Sequence, residues 1–205
     1  MRTKLALLFA AALMLVISTA TLASNMGFKI SLTLVTGSRS NWVSLPYFVS
    51  YQTSTDVRTD LANAGYTGVV VSRYDAASGI YTNDGGRNPF PLVPGEGLLI
   101  RVASGTGPWI VVGSHDPTKT FSLVTGSRSN WVSIPYHTTA TSSTNLRTEL
   151  TAAGYTGVVV SRYDAATGIY TNDGGRNPFA LVIGEAVLIR VATGPASGGW
   201  TPAHY

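Results

Sequence analysis

The chain has 205 residues, with 14 Lys and Arg against 10 Asp and Glu, a formal charge of +4 and no cysteine. Charged residues are only 12% of the total and no block of Lys or Arg occurs, so the electrostatic footprint of a nucleic-acid binder is missing. Without cysteine there are no disulfide staples, and the core alone must hold the fold.

The first segment, "MRTKLALLFAAALMLVISTATLASN", starts with Arg2 and Lys4 and continues as an unbroken apolar run over residues 5–17. Small residues follow. This pattern reads as a secretory signal peptide over residues 1–23. The apolar run falls short of the roughly 20 residues that cross a bilayer, so no membrane span is expected after cleavage. Loss of Arg2 and Lys4 takes the formal charge from +4 to +2. The expected location is the periplasm, the cell surface or the extracellular space.

Beyond the leader the chain repeats itself. "LVTGSRSNWVSLPY" at residues 34–47 returns 89 residues later as "LVTGSRSNWVSIPY", and the register holds without a gap as far as Arg101 and Arg190. Roughly three quarters of the aligned residues are identical. A repeat of this length implies two equivalent units, placed at residues 25–115 and 116–205. Each is large enough for a modest core only, so the two cores are expected to lean on each other.

Within the first copy, "NWVSLPY" alternates Val43, Leu45 and Tyr47 on one face, as a half-buried strand does. Pro46 cannot donate to a ladder, which puts that end at an edge or exit. "STDVRTDLANAG" is a short helix with Ser54 or Thr55 as its cap and Val57, Leu61 and Ala64 as its apolar stripe. Gly65 supplies the left-handed stop. The second copy repeats the plan with Leu146, Leu150, Ala153 and Gly154. "VVVSRYDAASGIYT" reads as a hairpin in which Asp75 faces Ile80 and Tyr74 faces Tyr81. Asp75 and Asp164 are placed at the loop entrance as acceptors for backbone N–H groups two residues on. Asn83 to Gly86 signals another turn, and strands follow at residues 98–102 and 109–112. The sum predicts a mostly β chain: two tandem antiparallel sandwich-like or open-barrel-like domains, each with one short helix.

The order "NWVSLPY", short helix, "SRYDAASGIY", "LVPGEGLLIRV" and a Trp-headed strand resembles a family of secreted bacterial β-rich repeats with no assigned activity. The resemblance covers nearly the whole chain beyond the leader, twice, and implies export and β architecture. The second copy departs from it, with "LVIGEAVLIRV" in place of Pro94 and Gly97.

No catalytic constellation emerges from the residues. The three histidines, His115, His137 and His204, show no metal-ligand spacing. No nucleophile elbow, phosphate loop or calcium loop is present, and neither a metal nor a cofactor is expected. Glu96 and Asp75 are the only pair that suggests glycoside hydrolysis, and Glu96 in "PGEG" reads as a solvated turn carboxylate. A binding face is the other candidate, set against the reading that the tyrosines are half-buried core and the polar groups only close turns. Tyr74, Tyr81, Asn83, Asp84, Arg87 and Asn88 gather aromatic, amide and guanidinium groups within one hairpin and its turn, a mixture suited to sugars. Tyr163, Tyr170, Asn172, Asp173, Arg176 and Asn177 repeat it.

The copies differ at their ends. The first closes with "WIVV" and the second with "WTPA", whose Pro202 weakens the strand, while "GFKISLTLV" places Phe28, Ile30, Leu32 and Leu34 in clean alternation near the start. A spare strand at one end and a deficient one at the other fit either of two arrangements: the N-terminal strand packs within its own chain, or it completes the second domain of a neighbour in head-to-tail self-association. The leading expectation is a non-enzymatic exported structural or adhesive protein. A carbohydrate-binding pair of modules comes second and a glycan-acting hydrolase third.

Overall fold

The computed structural model describes residues 27–204, so the expected signal peptide at 1–23 lies outside the described residues. The first copy runs through β1 (Phe28–Leu32), β2 (Asn41–Val43), β3 (Phe48–Val49), α1 (Ser54–Asn63), β4 (Val70–Asp75), β5 (Ile80–Asp84), β6 (Leu98–Arg101) and β7 (Trp109–Ser114). The second contributes β8 (Asn130–Ser133), α2 (Ser143–Ala152), β9 (Val159–Asp164), β10 (Ile169–Asp173) and β11 (Ala186–Arg190). The chain is mostly strand, in three antiparallel sheets, with one short helix per copy, as the composition predicts. Among the described residues no helix is long and apolar enough to cross a membrane.

Local chemistry sets these elements. β4 and β5 pair with Asp75 opposite Ile80 and Tyr74 opposite Tyr81, the register read from the alternation. Val57 and Leu61, one helical turn apart, are fully buried, and Gly65 at φ +90° ends the helix. The cap differs from expectation. Thr53 holds it, with the Asp56 carboxylate accepting the Gln52 and Thr53 N–H groups at 2.8 Å each. Ser54 turns inward instead, where its hydroxyl donates to Asp84 at 2.7 Å and accepts the Phe90 N–H at 3.0 Å. The strand expected across residues 41–47 stops at Val43. Beyond Pro46, Tyr47 leaves its own copy: its ring meets Phe121 edge-on at 5.9 Å and its hydroxyl donates to the Ser133 carbonyl.

The differences between the copies' ends decide the third sheet. In the first copy β7 pairs with β1 on one side and β3 on the other. In the second, the matching segments make only isolated bridges, Phe121 to Trp200 and Thr138 to His204, because Pro202 removes a ladder donor there. The alternating side chains of β1 are spent within the same chain. Phe28 stacks on Tyr136 with ring centroids 3.5 Å apart, and Leu32 and Ile30 lie against Gly184. The strand that looked spare in the sequence therefore covers the second copy from within the molecule.

Two four-stranded sheets, in the orders β2-β6-β4-β5 and β8-β11-β9-β10, hold one core each. They also join each other. Val43 bridges to Glu185 and, reciprocally, Val132 bridges to Glu96; Ser44 N–H donates to Gly184 O at 2.8 Å and Ser133 N–H to Gly95 O at 2.9 Å. Contacts that repeat with the copies exchanged define a local twofold relation. With the β2–β6 and β8–β11 pairings, these bridges close the four inner strands into a ring. A third core of Trp42, Leu99, Trp131, Ala186 and Leu188 fills it. The two indoles stack with centroids 3.5 Å apart and planes within 7°.

This ring explains where the second copy breaks its pattern. Gly97 and Ala186 are equivalent positions that face each other: a Cβ on Gly97 would stand 2.6 Å from the Ala186 Cβ and 3.3 Å from that of Trp131. There is room for one methyl group, not two. Gly97→Ala is expected to cost about 1–3 kcal/mol through overpacking. Ala186→Gly should cost about 1 kcal/mol through lost burial and added chain freedom. The double exchange should recover most of the loss, so that a urea-denaturation double-mutant cycle reads a strong favourable coupling. Additive losses would refute the contact.

Candidate functional site

The repeated hairpins bring their tyrosines to the mouth of the ring. Tyr74 and Tyr81 pack with centroids 4.9 Å apart, as do Tyr163 and Tyr170. Tyr81 lies 6.2 Å from Trp42 and Tyr170 lies 6.3 Å from Trp131, so both tyrosine pairs rest on the stacked indoles. Burial raises the Tyr81 hydroxyl above its ordinary pKa, the neighbouring Tyr170 and Tyr74 add to that, and Arg101 opposes it. Tyr170 is raised in the same way, by burial and then Tyr163, with Arg190 opposing. The hairpins of both copies thus share one aromatic end. Tyr81 is 43% and Tyr170 45% exposed, while Tyr74 and Tyr163 are half-buried beneath them.

Of the remaining residues of the predicted binding set, Asn83 and Asn172 stay exposed on the strand faces that carry Tyr81 and Tyr170, and the others go elsewhere. Asp84 and Asp173 are completely buried and close their own turns. Asp84 accepts hydrogen bonds from the Ser54 and Thr55 hydroxyls and from Gly86 N–H, with Arg58 at 3.9 Å. Burial pushes its pKa upward, but these partners outweigh that and hold it below the usual carboxylate value. Asp173 takes Thr144, Gly175 and Arg147 in the same roles. A carboxylate enclosed this way is a structural acceptor and presents nothing to a ligand. Asn83 accepts the Ser72 hydroxyl at 2.6 Å, and Asn172 stands opposite Ser161 in the matching register. Arg87, Asn88, Arg176 and Asn177 are exposed on the turns that follow the Asp84 and Asp173 ends of β5 and β10.

Asp75 and Asp164 fulfil their turn role: Asp75 accepts Ala77 N–H at 2.9 Å and Asp164 accepts Ala166 N–H at 2.8 Å. Glu96 is not the solvated carboxylate expected from "PGEG". It pairs with Arg73 at 2.8 Å, and burial raises its pKa despite that arginine. Glu96 and Asp75 both line a cleft of 280 Å³ together with Arg73 and Lys119. Glu185 pairs with Arg162 at the equivalent place.

One gathering escaped the sequence altogether. His115, at the end of the first copy, packs on His137 with ring centroids 3.4 Å apart, and His204 lies 5.2 Å from His137. The contacts are ring against ring. Among the described residues no group of three His, Cys, Asp or Glu is arranged to hold a metal ion. Tyr136, stacked on Phe28, continues the row, so the histidines lie on the seam between β1 and the C-terminal segment. No local pattern links positions 115, 137 and 204; only the closure of the two copies does.

Comparisons with protein-family models, with characterised proteins and with solved structures found no match for this chain.

The histidine row gives a pH dependence. Burial, followed by the neighbouring His115 and His204, pushes the His137 imidazole from 6.5 down to about 4. Between those values the unfolded chain binds a proton that the folded chain refuses, so stability falls as pH falls through this window. The slope from this group reaches about 1.4 kcal/mol per pH unit. Urea denaturation at stepped pH should show the decline, and His137→Asn should flatten it. An unchanged slope in the variant would contradict the assignment.

Proposed function

We propose that the protein is a non-enzymatic exported component of the cell surface or extracellular space that adheres through the aromatic end shared by its two copies. The observation that carries this reading is the pair Tyr81 and Tyr170: half-exposed aromatic rings, one from each copy, seated on a buried indole stack. Exposed aromatics cost solvation, and a rigid, exposed aromatic cluster is the usual mark of a contact surface. The stack fixes the rings beforehand, so little side-chain entropy is lost on contact.

The same rings favour a carbohydrate as the thing held, because the apolar face of a sugar stacks on an aromatic face. The geometry supports one composite site and not a pair of independent modules. Each tyrosine pair occupies half of the end, and the two indoles beneath belong to different copies.

Tyr81→Ala with Tyr170→Ala should therefore abolish retention on insoluble polysaccharides and fixed bacterial cells, with a lowered denaturation midpoint but a cooperative transition that shows the variant folded. Each single variant should already weaken retention about tenfold, as loss of a central aromatic contact does. Full retention by the folded double variant would defeat the reading.

A further inference from the structure

Four arginines surround the aromatic end. Arg39 and Arg128 are one equivalent pair, Arg101 and Arg190 the other. Each member of the first pair crosses to the other copy's hairpin. A Cβ on Gly79, at the tip of the β4–β5 hairpin, would stand 4.0 Å from Arg128 Nη1 and 3.6 Å from the Tyr74 hydroxyl. A Cβ on Gly168 would stand 3.8 Å from Arg39 Nη1 and 3.7 Å from the Tyr163 hydroxyl. Arg101 stands opposite Val70 and Arg190 opposite Val159, four positions along the strand from Tyr74 and Tyr163, and their charges still lower the Tyr81 and Tyr170 pKa values against the effect of burial.

The loops that carry Arg39 and Arg128 are held in place. Gly37 and Ser38 are both left-handed, at φ +77° and +58°, and Ser127 repeats this at φ +60°. A left-handed serine is strained and persists only where the surroundings enforce it. Here Gly37 and Ser38 donate to the Ala103 and Val102 carbonyls at 3.0 and 2.8 Å, and the Asn41 side chain donates to the Arg39 carbonyl at 3.2 Å. Asn130 does the same for Arg128 at 3.1 Å.

These four charges lack the partners that the other core-side arginines have. Among the described residues Arg58, Arg73, Arg147 and Arg162 each have a carboxylate within 4.0 Å. Among the described residues Arg39, Arg101, Arg128 and Arg190 are in no such pair. Asp75 and Asp164, on the same hairpins, are committed to their own turns. Two guanidinium groups, Arg128 and Arg39, thus stand at the hairpin tips beside the Tyr74 and Tyr163 hydroxyls, and the charges of Arg101 and Arg190 bear on Tyr81 and Tyr170.

We propose that the aromatic end binds an acidic polysaccharide, with Tyr81 and Tyr170 stacking on sugar rings and the four arginines pairing with carboxylate or sulfate groups along the chain. The proposal rests on the adhesive reading and gives its target a chemical class. Guanidinium suits the task because its fork meets a carboxylate or sulfate with two parallel hydrogen bonds. Single-stranded nucleic acid also combines stacking with arginine contacts. The leader segment, which reads as an export signal, favours the polysaccharide.

The test is affinity electrophoresis of the purified protein through polygalacturonate (carboxylate only), heparin (carboxylate and sulfate), a neutral galactan and, separately, with oligothymidylate. Retardation by one or both acidic polymers, absent in the galactan and weakened by salt, is expected, and the polymer that retards identifies the anionic group. Arg101→Ala with Arg190→Ala, and likewise Arg39→Ala with Arg128→Ala, should each weaken it about tenfold. Arg87→Ala with Arg176→Ala, exposed arginines outside this end, should leave it unchanged. Near-UV circular dichroism confirms that each variant is folded. Equal retardation by galactan and acidic polymers, insensitivity to the four arginines, or binding of oligothymidylate alone would overturn the proposal. If adhesion to cells still depends on Tyr81 and Tyr170 while no acidic polymer retards the protein, the acidic target falls and the adhesive reading stands. If that adhesion is absent as well, both fall.

Discussion

The stack of Trp42 on Trp131 is the contact on which the rest depends. It lies where the two copies meet, inside the ring of β2, β6, β8 and β11, and it belongs to neither copy alone. A unit of this size buries only about 60% of the surface it exposes when unfolded, which leaves little margin without staples. Closing the inner strands into a ring removes sheet edges and buries two indoles at once. It also sets the tyrosines above the stack, so the same packing that supports the fold shapes its exposed end.

Much of this was legible where the signal was local. The hairpin register followed from alternation and a short glycine-bearing loop, and the helix stripe followed from Val57 and Leu61 one turn apart. The deficit of the last strand was visible in Pro202. What the sequence hid was long-range. Asp84 looked like a turn residue offered to solvent, yet Ser54, thirty positions earlier, claims its carboxylate. Had Ser54 been the helix cap, as its position suggested, that hydrogen bond could not form. The cap fell to Thr53 because Asp56, at the third helical position, reaches back to it.

The candidate site was half readable for the same reason. Tyr74 with Tyr81 and Tyr163 with Tyr170 are neighbours by strand pairing, and each pair was found. That the pairs meet required the ring. So did the arginines, which are scattered through the chain as single charges and give no basic run. Folding carries Arg39 and Arg128 to the tip of the other copy's hairpin, a placement that composition alone does not reveal.

Gly97 opposite Ala186 has one more consequence, about ancestry. If a lone repeat unit once paired with itself through this ring, both facing positions would have carried the same residue. Glycine fits that homodimer without strain; alanine on both sides, at 2.6 Å, would overpack it. Fusion in one chain let the two sides of the contact differ, so that one side could gain a methyl group without the other.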